Sequence, residues 1–398
     1  MEKRVVVTGV GIITALGRGL AITKAALEKG KSGIANIESF DTSLHKTSLG
    51  AEAKGILSNN NFNGDRASIL VLQACKDAFE MASLSSSEDC PLHAPVILGT
   101  TLGGMLSGQQ YHRDLILNKN RLKRTALLKD YFSCNQARRV LEEFGLIGEP
   151  LILHNACASG LSAIGCASYR IKSGTSNVVV AGGYDVFSDF THAGFNSLQL
   201  IAPKLCRPFD RNRSGLILGE GAGILIVEEL NFAMERGVKI LAEITGYGQS
   251  SDAYHITKPD PTAKGAAGAI KMAINKAEIN PTDIDYINAH GTGTILNDAM
   301  ETKALHLSLG VHAAKIPLSS VKPMIGHTLG ASGALEAIIS IISINDSFAP
   351  ENLNYKTPDS NCKLNIISGK PRNMKIKTVL SNSFGFGGSN CALVLEKF

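Results

Sequence analysis

Residues 219–229 read Gly219-Glu220-Gly221-Ala222-Gly223-Ile224-Leu225-Ile226-Val227-Glu228-Glu229, a glycine turn that feeds an apolar strand with an acidic end. The same pattern returns in residues 385–396, where Gly-Phe-Gly-Gly-Ser-Asn leads into Cys-Ala-Leu-Val-Leu-Glu. A second repeat pairs residues 157–160 (Cys-Ala-Ser-Gly) with residues 327–333 (His-Thr-Leu-Gly-Ala-Ser-Gly), and a helix of small residues is predicted to begin at each segment. Because the two repeated motifs follow each other in the same order in both parts of the chain, the sequence predicts a duplication.

Apolar strand patterns alternate with helical patterns along the chain. Strands are predicted at 5–8, 95–98, 177–181 and 286–289, and helices at 158–172 and 262–278. This alternation predicts an α/β fold in layers. We expect two similar halves, residues 1–245 and 246–398, that share one continuous body because no low-complexity linker separates them.

Composition excludes several classes of protein. The chain has 398 residues, of which 44% are hydrophobic and 19% charged, so it is not a disordered chain. A net charge of +5 without tryptophan gives little support for nucleic-acid binding. The longest apolar stretch, residues 337–344, is far shorter than the roughly 20 residues of a membrane span. Since the first residues lack a signal-peptide pattern, we expect a cytoplasmic protein.

Cofactor and metal motifs are missing from the sequence. The eight cysteines contain no C-x-x-C pair, which argues against zinc and favours reduced thiols. The segment Gly9-Val10-Gly11, interpreted as a tight turn after the first strand, lacks the third glycine of a dinucleotide fingerprint. No phosphate-loop pattern accompanies the other glycine turns. We therefore expect neither a metal nor a nucleotide cofactor.

Cys157 is the candidate nucleophile. It lies in His154-Asn155-Ala156-Cys157 and directly precedes a predicted helix. The dipole and free N–H groups at a helix N-terminus favour a thiolate, so the position predicts a lowered thiol pKa. The alternative interpretation is a buried structural cysteine, which is the common state of this residue type.

Two histidines occur in glycine-rich settings. His290 follows a predicted strand in Ala289-His290-Gly291, and His327 precedes a predicted helix. Strand ends and helix starts are where α/β folds place their sites. Each histidine alone has an ordinary structural interpretation, but with a thiol they supply a nucleophile and two proton-donating imidazoles.

Three further features accompany these residues. Lys322, in an apolar and proline-flanked setting, is a candidate partner for Glu336, whose carboxylate lies among alanine and leucine on the helix after His327. Residues 382–388 form a glycine loop with two phenylalanines, and its backbone N–H groups suit an oxyanion hole.

At these residues the sequence resembles the elongating type II β-ketoacyl-[acyl-carrier-protein] synthases of the thiolase superfamily. Three motifs carry the resemblance: residues 156–160, residues 288–294, and Lys322 through residues 326–330. The likeness runs from residue 5 to residue 390. It implies a duplicated five-layer αβαβα thiolase-like sandwich.

The resemblance also implies a reaction, the decarboxylative Claisen condensation of malonyl-carrier protein with an acyl chain. It assigns acyl transfer to the cysteine, enolate stabilisation to both histidines, and an oxyanion hole to the N–H groups of Cys157 and Phe386. Phe386 is also implied to be a gate. The remaining implied residues are Lys322 and Glu336 for the electrostatics around His327, Asp298 for support, and Thr292 and Thr294 for the phosphopantetheine arm. No separate cofactor is implied.

The implied partners are an acyl carrier protein, loaded with malonyl or acyl groups, and a second subunit that is identical or a related synthase or chain-length factor. We expect carrier docking at five basic residues, Arg66, Arg121, Lys123, Arg124 and Arg207. The turn at residues 99–104 resembles that of members dedicated to polyketides or aryl polyenes. Residues 59–64 are neutral where fatty-acid enzymes often carry basic residues.

Two alternatives belong to different classes. Condensing enzymes that act on coenzyme A, such as thiolases and chalcone synthases, use Cys-His-Cys or Cys-His-Asn, whereas the third residue here is His327. A chain-length-factor-like partner without catalytic activity would lack the nucleophile, whereas this chain has Cys157.

Overall fold

The structure is a computed structural model that describes residues 3–56, 64–87, 89–117 and 121–398. Within these ranges, the strands are β1 (Val5–Thr14), β2 (Gly17–Arg18), β3 (Ala35–Asn36), β4 (Leu49–Gly50), β5 (Val96–Gly99), β6 (Pro150–Leu153), β7 (Val178–Asp185), β8 (Gly221–Glu229), β9 (Ala242–Ser251), β10 (Tyr286–Asn288), β11 (Pro317–Ser319), β12 (Phe348–Ala349), β13 (Asn365–Ile366), β14 (Arg372–Asn373), β15 (Thr378–Gly385) and β16 (Ser389–Glu396). The helices are α1 (Leu20–Glu28), α2 (Arg66–Met81), α3 (Met105–Ile116), α4 (Arg121–Tyr131), α5 (Cys134–Glu143), α6 (Ser159–Lys172), α7 (Asp189–Ser197), α8 (Leu230–Glu235), α9 (Lys264–Ala277), α10 (Ile295–Leu309), α11 (Lys322–Ile325) and α12 (Ser332–Asp346).

The main sheet repeats one topology twice. Its strand order is β13-β11-β10-β15-β16-β9-β1-β8-β7-β5-β6, with β2 beside β1. The first set of strands is β1, β5, β6, β7 and β8, and the second set is β9, β10, β11, β15 and β16. When the strands of each set are numbered one to five in chain order, both sets lie in the order 3-2-4-5-1 from the outer side of the sheet toward its centre. In both sets the second strand is parallel to the third and fourth, and the fifth is antiparallel to the fourth and first. The predicted duplication is therefore present in the topology.

The two half-sheets meet at their first strands. β1 and β9 are antiparallel neighbours over only two residue pairs, Val6 with Glu243 and Val7 with Ala242. The expected boundary at residue 245 falls inside β9. We therefore propose that the halves divide in residues 236–241, between α8 and β9, because this connection precedes the first strand of the second half.

Helices cover both faces of each half-sheet. α6 and α12 lie between the half-sheets, where Leu161 and Leu335 share one apolar core with Val227 of β8 and Leu393 of β16. Side chains alternate along each strand, so the neighbouring strand residue Ile226 points to the opposite face and packs with α2. The outer face of the second half-sheet packs in the same way against α9 and α10. These are the five αβαβα layers that the resemblance implied.

The expected tight turn at residues 9–11 is wrong, because β1 continues through both glycines. A Cβ atom on Gly9 would lie 2.1 Å from the carbonyl oxygen of Ala78, and one on Gly11 would lie 1.8 Å from that of Ala74. These glycines therefore allow α2 to pack directly on the strand, rather than allowing the chain to turn.

One stretch, Leu329–Asp346, is long and apolar enough to cross a membrane by length and composition, but 89% of it is buried inside the protein. It comprises α12 with the turn before it, and its apolar surface packs against both half-sheets. The helix is apolar on all sides because it is buried between the two half-sheets.

Candidate active site

A cavity of about 260 Å³ opens where the two halves meet, at the ends of β10 and β15 and the start of α6. Its walls include most of the residues that the sequence singled out. They are Cys157, His290, His327, Thr292, Thr294 and Phe386, joined by Phe195 and Phe384.

Cys157 lies in a 3₁₀ turn, Ala156–Ala158, that leads directly into α6. Ala156 has a φ of 48°, in the left-handed region that residues other than glycine seldom adopt. The Ser159 hydroxyl fixes the turn, because it donates to the Ala156 carbonyl at 2.6 Å and accepts from the Asn155 N–H at 2.8 Å. This sharp turn presents the thiol to the cavity.

The predicted lowering of the thiol pKa is wrong for the resting site. Burial raises the pKa of Cys157 to about 12, although the charge on Lys322 and the N–H of Phe386 act in the opposite direction. Only 5% of Cys157 is exposed, and a thiolate taken out of water is destabilised. The resting nucleophile is therefore a protonated thiol, which loses its proton as it attacks.

The glycine loop after β15 lies directly against Cys157. The N–H of Phe386 faces the thiol and favours its negative form. Gly385 is so close that a Cβ atom there would lie 3.1 Å from the Cys157 nitrogen and 2.8 Å from the Asn155 carbonyl oxygen. Two backbone N–H groups, of Cys157 and Phe386, thus lie beside the sulfur, as an oxyanion hole requires.

His290 follows β10 and is 2% exposed. Its Nδ1 lies 3.4 Å from Nζ of Lys322, which also donates to the His290 carbonyl at 2.5 Å. An ammonium donates and does not accept, so Nδ1 carries no proton and Nε2 carries one. Burial, Lys322 and His327 all lower the pKa of His290 well below its ordinary value, so the ring is a neutral donor.

His327 has the same tautomer for a different reason. Its Nδ1 accepts from the N–H of Leu329 at 3.3 Å, which leaves the proton on Nε2. The N-terminal half fixes its backbone, since the His327 N–H donates to the Ile217 carbonyl at 2.7 Å. Burial and Lys322 lower the pKa of this ring too. The two imidazoles lie 5.5 Å apart, centroid to centroid, with their planes nearly perpendicular.

Lys322 and Glu336 form a buried ion pair behind the histidines. Both side chains are 1% exposed, and Nζ donates to Oε1 of the carboxylate. Burial raises the pKa of Glu336, and the neighbouring ammonium opposes that rise. The predicted contact is therefore present, and it directs a positive charge at the Nδ1 side of His290.

The two threonines share one wall of the cavity. Their hydroxyl oxygens lie 2.9 Å apart, and their loop is anchored from below by Asp298. Asp298 is fully buried and accepts from the N–H groups of Gly293 at 3.2 Å and Phe209 at 2.7 Å. It therefore has a structural position, while Thr292 and Thr294 face the space that a substrate would occupy.

Two buried carboxylates were missed by sequence analysis. Glu301 of α10 accepts from the N–H groups of His290 at 2.9 Å and Gly291 at 2.8 Å. Asp185, at the end of β7, accepts from the N–H groups of Leu102 at 2.8 Å and Gly330 at 2.6 Å. Burial raises the pKa of Glu301 to about 7 and that of Asp185 to about 6. For Asp185 the available signal was an acidic residue at the end of an apolar strand, as used for Glu336, whereas Glu301 lies among polar residues and gave no such signal.

We expect Glu301→Gln to loosen the turn that carries His290. Glutamine offers one carbonyl oxygen to two N–H donors and turns an NH₂ group toward the second, so a buried hydrogen bond to a charged acceptor is lost. The free energy of unfolding is expected to fall by about 1.5–3 kcal/mol, measured by urea denaturation. Glu235→Gln, at the exposed end of α8, is the matched control, and an equal loss there would contradict the assignment.

The docking residues separate into three groups. Arg207 lies beside the loop that carries Thr292 and Thr294, because its backbone nitrogen is 3.4 Å from the position that a Cβ atom on Gly293 would occupy. Arg66 is unsuited to docking, since its guanidinium pairs with both carboxylate oxygens of the buried Glu220. The side chains of Arg121, Lys123 and Arg124, and the neutral residues 59–63, lie outside the described part of the structure.

The assembled site can perform acyl transfer and carbanion chemistry. The thiol of Cys157 lines the cavity, and the backbone N–H groups of Cys157 and Phe386 can donate to the oxygen of a tetrahedral intermediate. Two neutral imidazoles can donate from Nε2 to a second oxygen that becomes negative. These are separate sites for two charges that develop in different steps.

Comparisons with known proteins agree with this chemistry. Family models match residues 2–233, "Beta-ketoacyl synthase, N-terminal domain", and residues 241–356, "Beta-ketoacyl synthase, C-terminal domain". The 3-oxoacyl-[acyl-carrier-protein] synthase 2 of Coxiella burnetii is 37% identical, over 100% of this chain and 99% of its own length. The ishigamide ketosynthase/chain length factor superimposes over all of both chains with a TM-score of 0.93 and 30% identity. A type II polyketide ketosynthase solved with its acyl-carrier protein and a hexaketide, AntDE:AntF, covers all of both chains with a TM-score of 0.92 and 27% identity.

Proposed function

The chain belongs to the β-ketoacyl synthase family, and from that premise we propose that it elongates an acyl chain by decarboxylative condensation with a malonyl group on an acyl carrier protein. The product class is a β-ketoacyl chain of fatty-acid or related polyketide or aryl polyene synthesis. One observation carries the proposal: a buried thiol and two imidazoles with the proton on Nε2 line one cavity.

The first step is acyl transfer to Cys157. Its sulfur attacks the carbonyl carbon of an acyl thioester, and the carbonyl oxygen becomes negative within reach of the N–H groups of Cys157 and Phe386. The bond to the pantetheine sulfur then breaks. The proton of the attacking thiol ends on the departing pantetheine sulfur, so the enzyme gains an acyl group and no net charge.

The second step is loss of carbon dioxide from a malonyl thioester. The bond between Cα and the carboxylate breaks, and its electron pair passes to the thioester oxygen as an enolate. Nε2–H groups of His290 and His327 donate to that oxygen, and both rings are neutral donors because burial and Lys322 keep their pKa values low. The enolate carbon then attacks acyl-Cys157, and the bond between the carbonyl carbon and the cysteine sulfur breaks. The sulfur leaves as a thiolate and takes up one proton from solvent, which restores the resting thiol.

The carrier's pantetheine arm is proposed to lie along Thr292 and Thr294, whose hydroxyl groups line the cavity wall. Phe386 would act as a gate, because its ring stacks on Phe195 at 5.8 Å across the cavity. All the chemistry falls to residues of the chain and to the carrier's own thiol, so we propose that no separate cofactor takes part.

Arg207 is the proposed contact for the acidic carrier protein. It is half-buried beside the cavity mouth, in the segment whose Cys206 thiol reaches the Thr292 carbonyl at 3.4 Å. Its Nε is buried and makes no hydrogen bond to any described residue, so the exposed remainder of the guanidinium would make the contact. The neighbouring exposed side chains Ile295 and Leu296 provide apolar area at the same mouth.

We expect Arg207→Glu to raise the apparent KM for acyl-carrier protein and to flatten its dependence on salt, because charge steering is screened over about 8 Å at physiological ionic strength. Acylation by a small pantetheine thioester should remain nearly unchanged. Lys239→Glu, an exposed change of equal charge on the connection before β9, is the control. Equal losses on carrier and small thioester would contradict the docking role.

A second subunit is proposed at the free edge of β6, as either an identical chain or a related synthase or chain-length factor. β6 ends the main sheet, so one side of it has no strand neighbour within the described residues. Ser133 lies 3.0 Å from the His154 ring at the end of this strand, and its neighbour Phe132 is 59% exposed. An open strand edge beside an exposed aromatic ring is typical of a subunit interface.

We also propose that the protein works in the cytoplasm. Its eight cysteines are all free thiols, and Cys90 and Cys134 are exposed to solvent. Exposed thiols persist in the reducing cytosol and oxidise elsewhere.

The proposed function is tested by offering the purified chain acyl- and malonyl-carrier protein together and identifying products by mass. The expected product is a carrier whose acyl chain is longer by two carbons and bears a β-keto group. Acyl transfer without elongation, at concentrations of both loaded carriers that saturate the enzyme, would contradict the proposal.

A further inference from the structure

A hairpin tip folds over the helix that carries one of the cavity's phenylalanines. β3 and β4 form the hairpin, and its tip, residues 37–48, lies against α7. The Lys46 N–H donates to Asn196 Oδ1 at 3.3 Å, and His45 Nε2 lies 2.9 Å from Asp189 Oδ1. The tip is thus attached to both ends of α7.

His192 lies under this tip and is completely buried. Its ring is 4.6 Å from that of His45 and 5.8 Å from that of Phe40, both edge to face. Neither ring nitrogen makes a hydrogen bond within the described residues. The backbone of Leu49 favours the protonated ring, but without the geometry of a full hydrogen bond. A titratable side chain therefore fills a position that an apolar ring would also fill.

α7 connects this histidine to the catalytic cavity. Phe195 follows His192 by three residues, so both lie on neighbouring positions of one helix face. The Phe195 ring stacks on Phe386 with an interplanar angle of 18° and lines the cavity with Cys157. A displacement of α7 would move Phe195 with it.

From this geometry we propose that His45 and His192 form a proton-sensitive latch that holds α7, and with it Phe195, in position against Phe386. The latch is closed when His192 is neutral and packed against His45 and Phe40. It opens when His192 takes up a proton. His192 is therefore a positioning residue, which acts on the acyl site through Phe195.

The charged groups around the latch determine whether a proton on His192 is favoured or opposed. On the hairpin tip the charged or titratable groups are Glu38, Asp41, His45 and Lys46, and on α7 the charged group is Asp189. Asp189 pairs with His45, and although its charge also favours a proton on His192, that proton would face a second imidazole 4.6 Å away. Burial and the charge on His45 lower the pKa of His192 to about 4 from an ordinary 6.5.

This lowered pKa fixes the pH range. The neutral ring favours the closed form, so closure is fully favoured above pH 6.5 and is lost as the pH falls toward 4. Between pH 8 and pH 5 the ratio of open to closed latch is expected to rise about 30-fold. The catalytic imidazoles do not share this response, because their pKa values are already far below 6.5.

The test compares the parental protein with His192→Phe, which keeps an aromatic ring and removes the proton site. The chain has no tryptophan, so Phe190→Trp on the exposed side of α7 provides a single fluorescence reporter in both backgrounds. From pH 8 to pH 5 we expect a reversible fluorescence change in the parental background and none with His192→Phe. As the pH falls, the rate of Cys157 acylation by an acyl-pantetheine should decrease more steeply in the parental protein than in His192→Phe. The ratio of the parental rate to the His192→Phe rate is therefore expected to fall several-fold between pH 8 and pH 5.

The acylation readout rests on the proposed function, whereas the fluorescence readout does not. Absence of acylation at every pH with an intact fluorescence change would contradict the function and support the latch. Identical pH profiles of fluorescence and rate in both proteins would overturn the latch. If His192→Phe does not fold, Asp189→Asn serves instead, and it should shift the fluorescence midpoint because it removes the partner of His45.

Discussion

Replacing Cys157 with alanine is expected to abolish β-ketoacyl formation, with a loss on the order of 10⁴–10⁶-fold. Among the described residues, Cys157 is the only cysteine that lines the cavity, whose wall also includes the imidazoles of His290 and His327. Its sulfur is the proposed site of the acyl intermediate, and among the described residues no other side chain of the cavity wall supplies a nucleophile of this strength. Product formation measured by mass, with both carrier substrates present, checks this expectation.

A second substitution separates the nucleophile from the rest of the site. Cys157→Gln places an amide where the acylated sulfur would be, so we expect malonyl decarboxylation to persist while condensation is lost. Cys166→Ala, on the helix that follows Cys157 but away from the cavity, is the control and should retain condensation. Condensation by Cys157→Ala above background would contradict the assignment of the nucleophile.

Removing either catalytic imidazole is expected to lower the rate of malonyl decarboxylation by about 10²–10³-fold. In His290→Ala and His327→Ala one of two neutral Nε2–H donors to the enolate oxygen is gone. Acyl transfer to Cys157 should largely persist, because the proposed oxyanion hole for that step consists of the backbone N–H groups of Cys157 and Phe386. Release of carbon dioxide from malonyl-carrier protein and intact-mass acylation measure the two steps separately.

A parental rate of decarboxylation in either histidine variant would show that its imidazole does not stabilise the enolate. His306→Ala is the matched control, because His306 lies on α10 outside the cavity and its Nε2 lies 3.1 Å from the backbone carbonyl oxygen of Lys363. It should alter neither step.

The sequence was informative where residue type and local context agree. Cys157 at a helix start, and His290 and His327 beside glycines, were identified from local pattern, and the duplicated layers followed from two repeated segments. The contact between Lys322 and Glu336 was predicted because a carboxylate among apolar residues requires a partner. The requirement for a partner is visible in the residues around Glu336, and Lys322 lies only 14 positions before it.

Other features depend on contacts between distant segments. The thiol pKa is raised because the second half of the chain closes over Cys157, which its helix position does not show. Arg66 pairs with Glu220, a residue 154 positions away, so its surface charge could not be judged locally. The glycines at 9 and 11 resemble a turn, and only the approach of α2 explains them.

The central claim is that Cys157 carries the growing chain before the two imidazoles create the nucleophile that takes it. Intact-mass analysis after incubation with acyl-carrier protein, followed by a chase with malonyl-carrier protein, tests this most directly. The account predicts one acyl group on Cys157 after the first incubation, and its transfer to the carrier as a β-ketoacyl chain during the chase. An acyl group on Cys206 or Cys166 instead, or an acyl-Cys157 that the chase does not discharge, would contradict it.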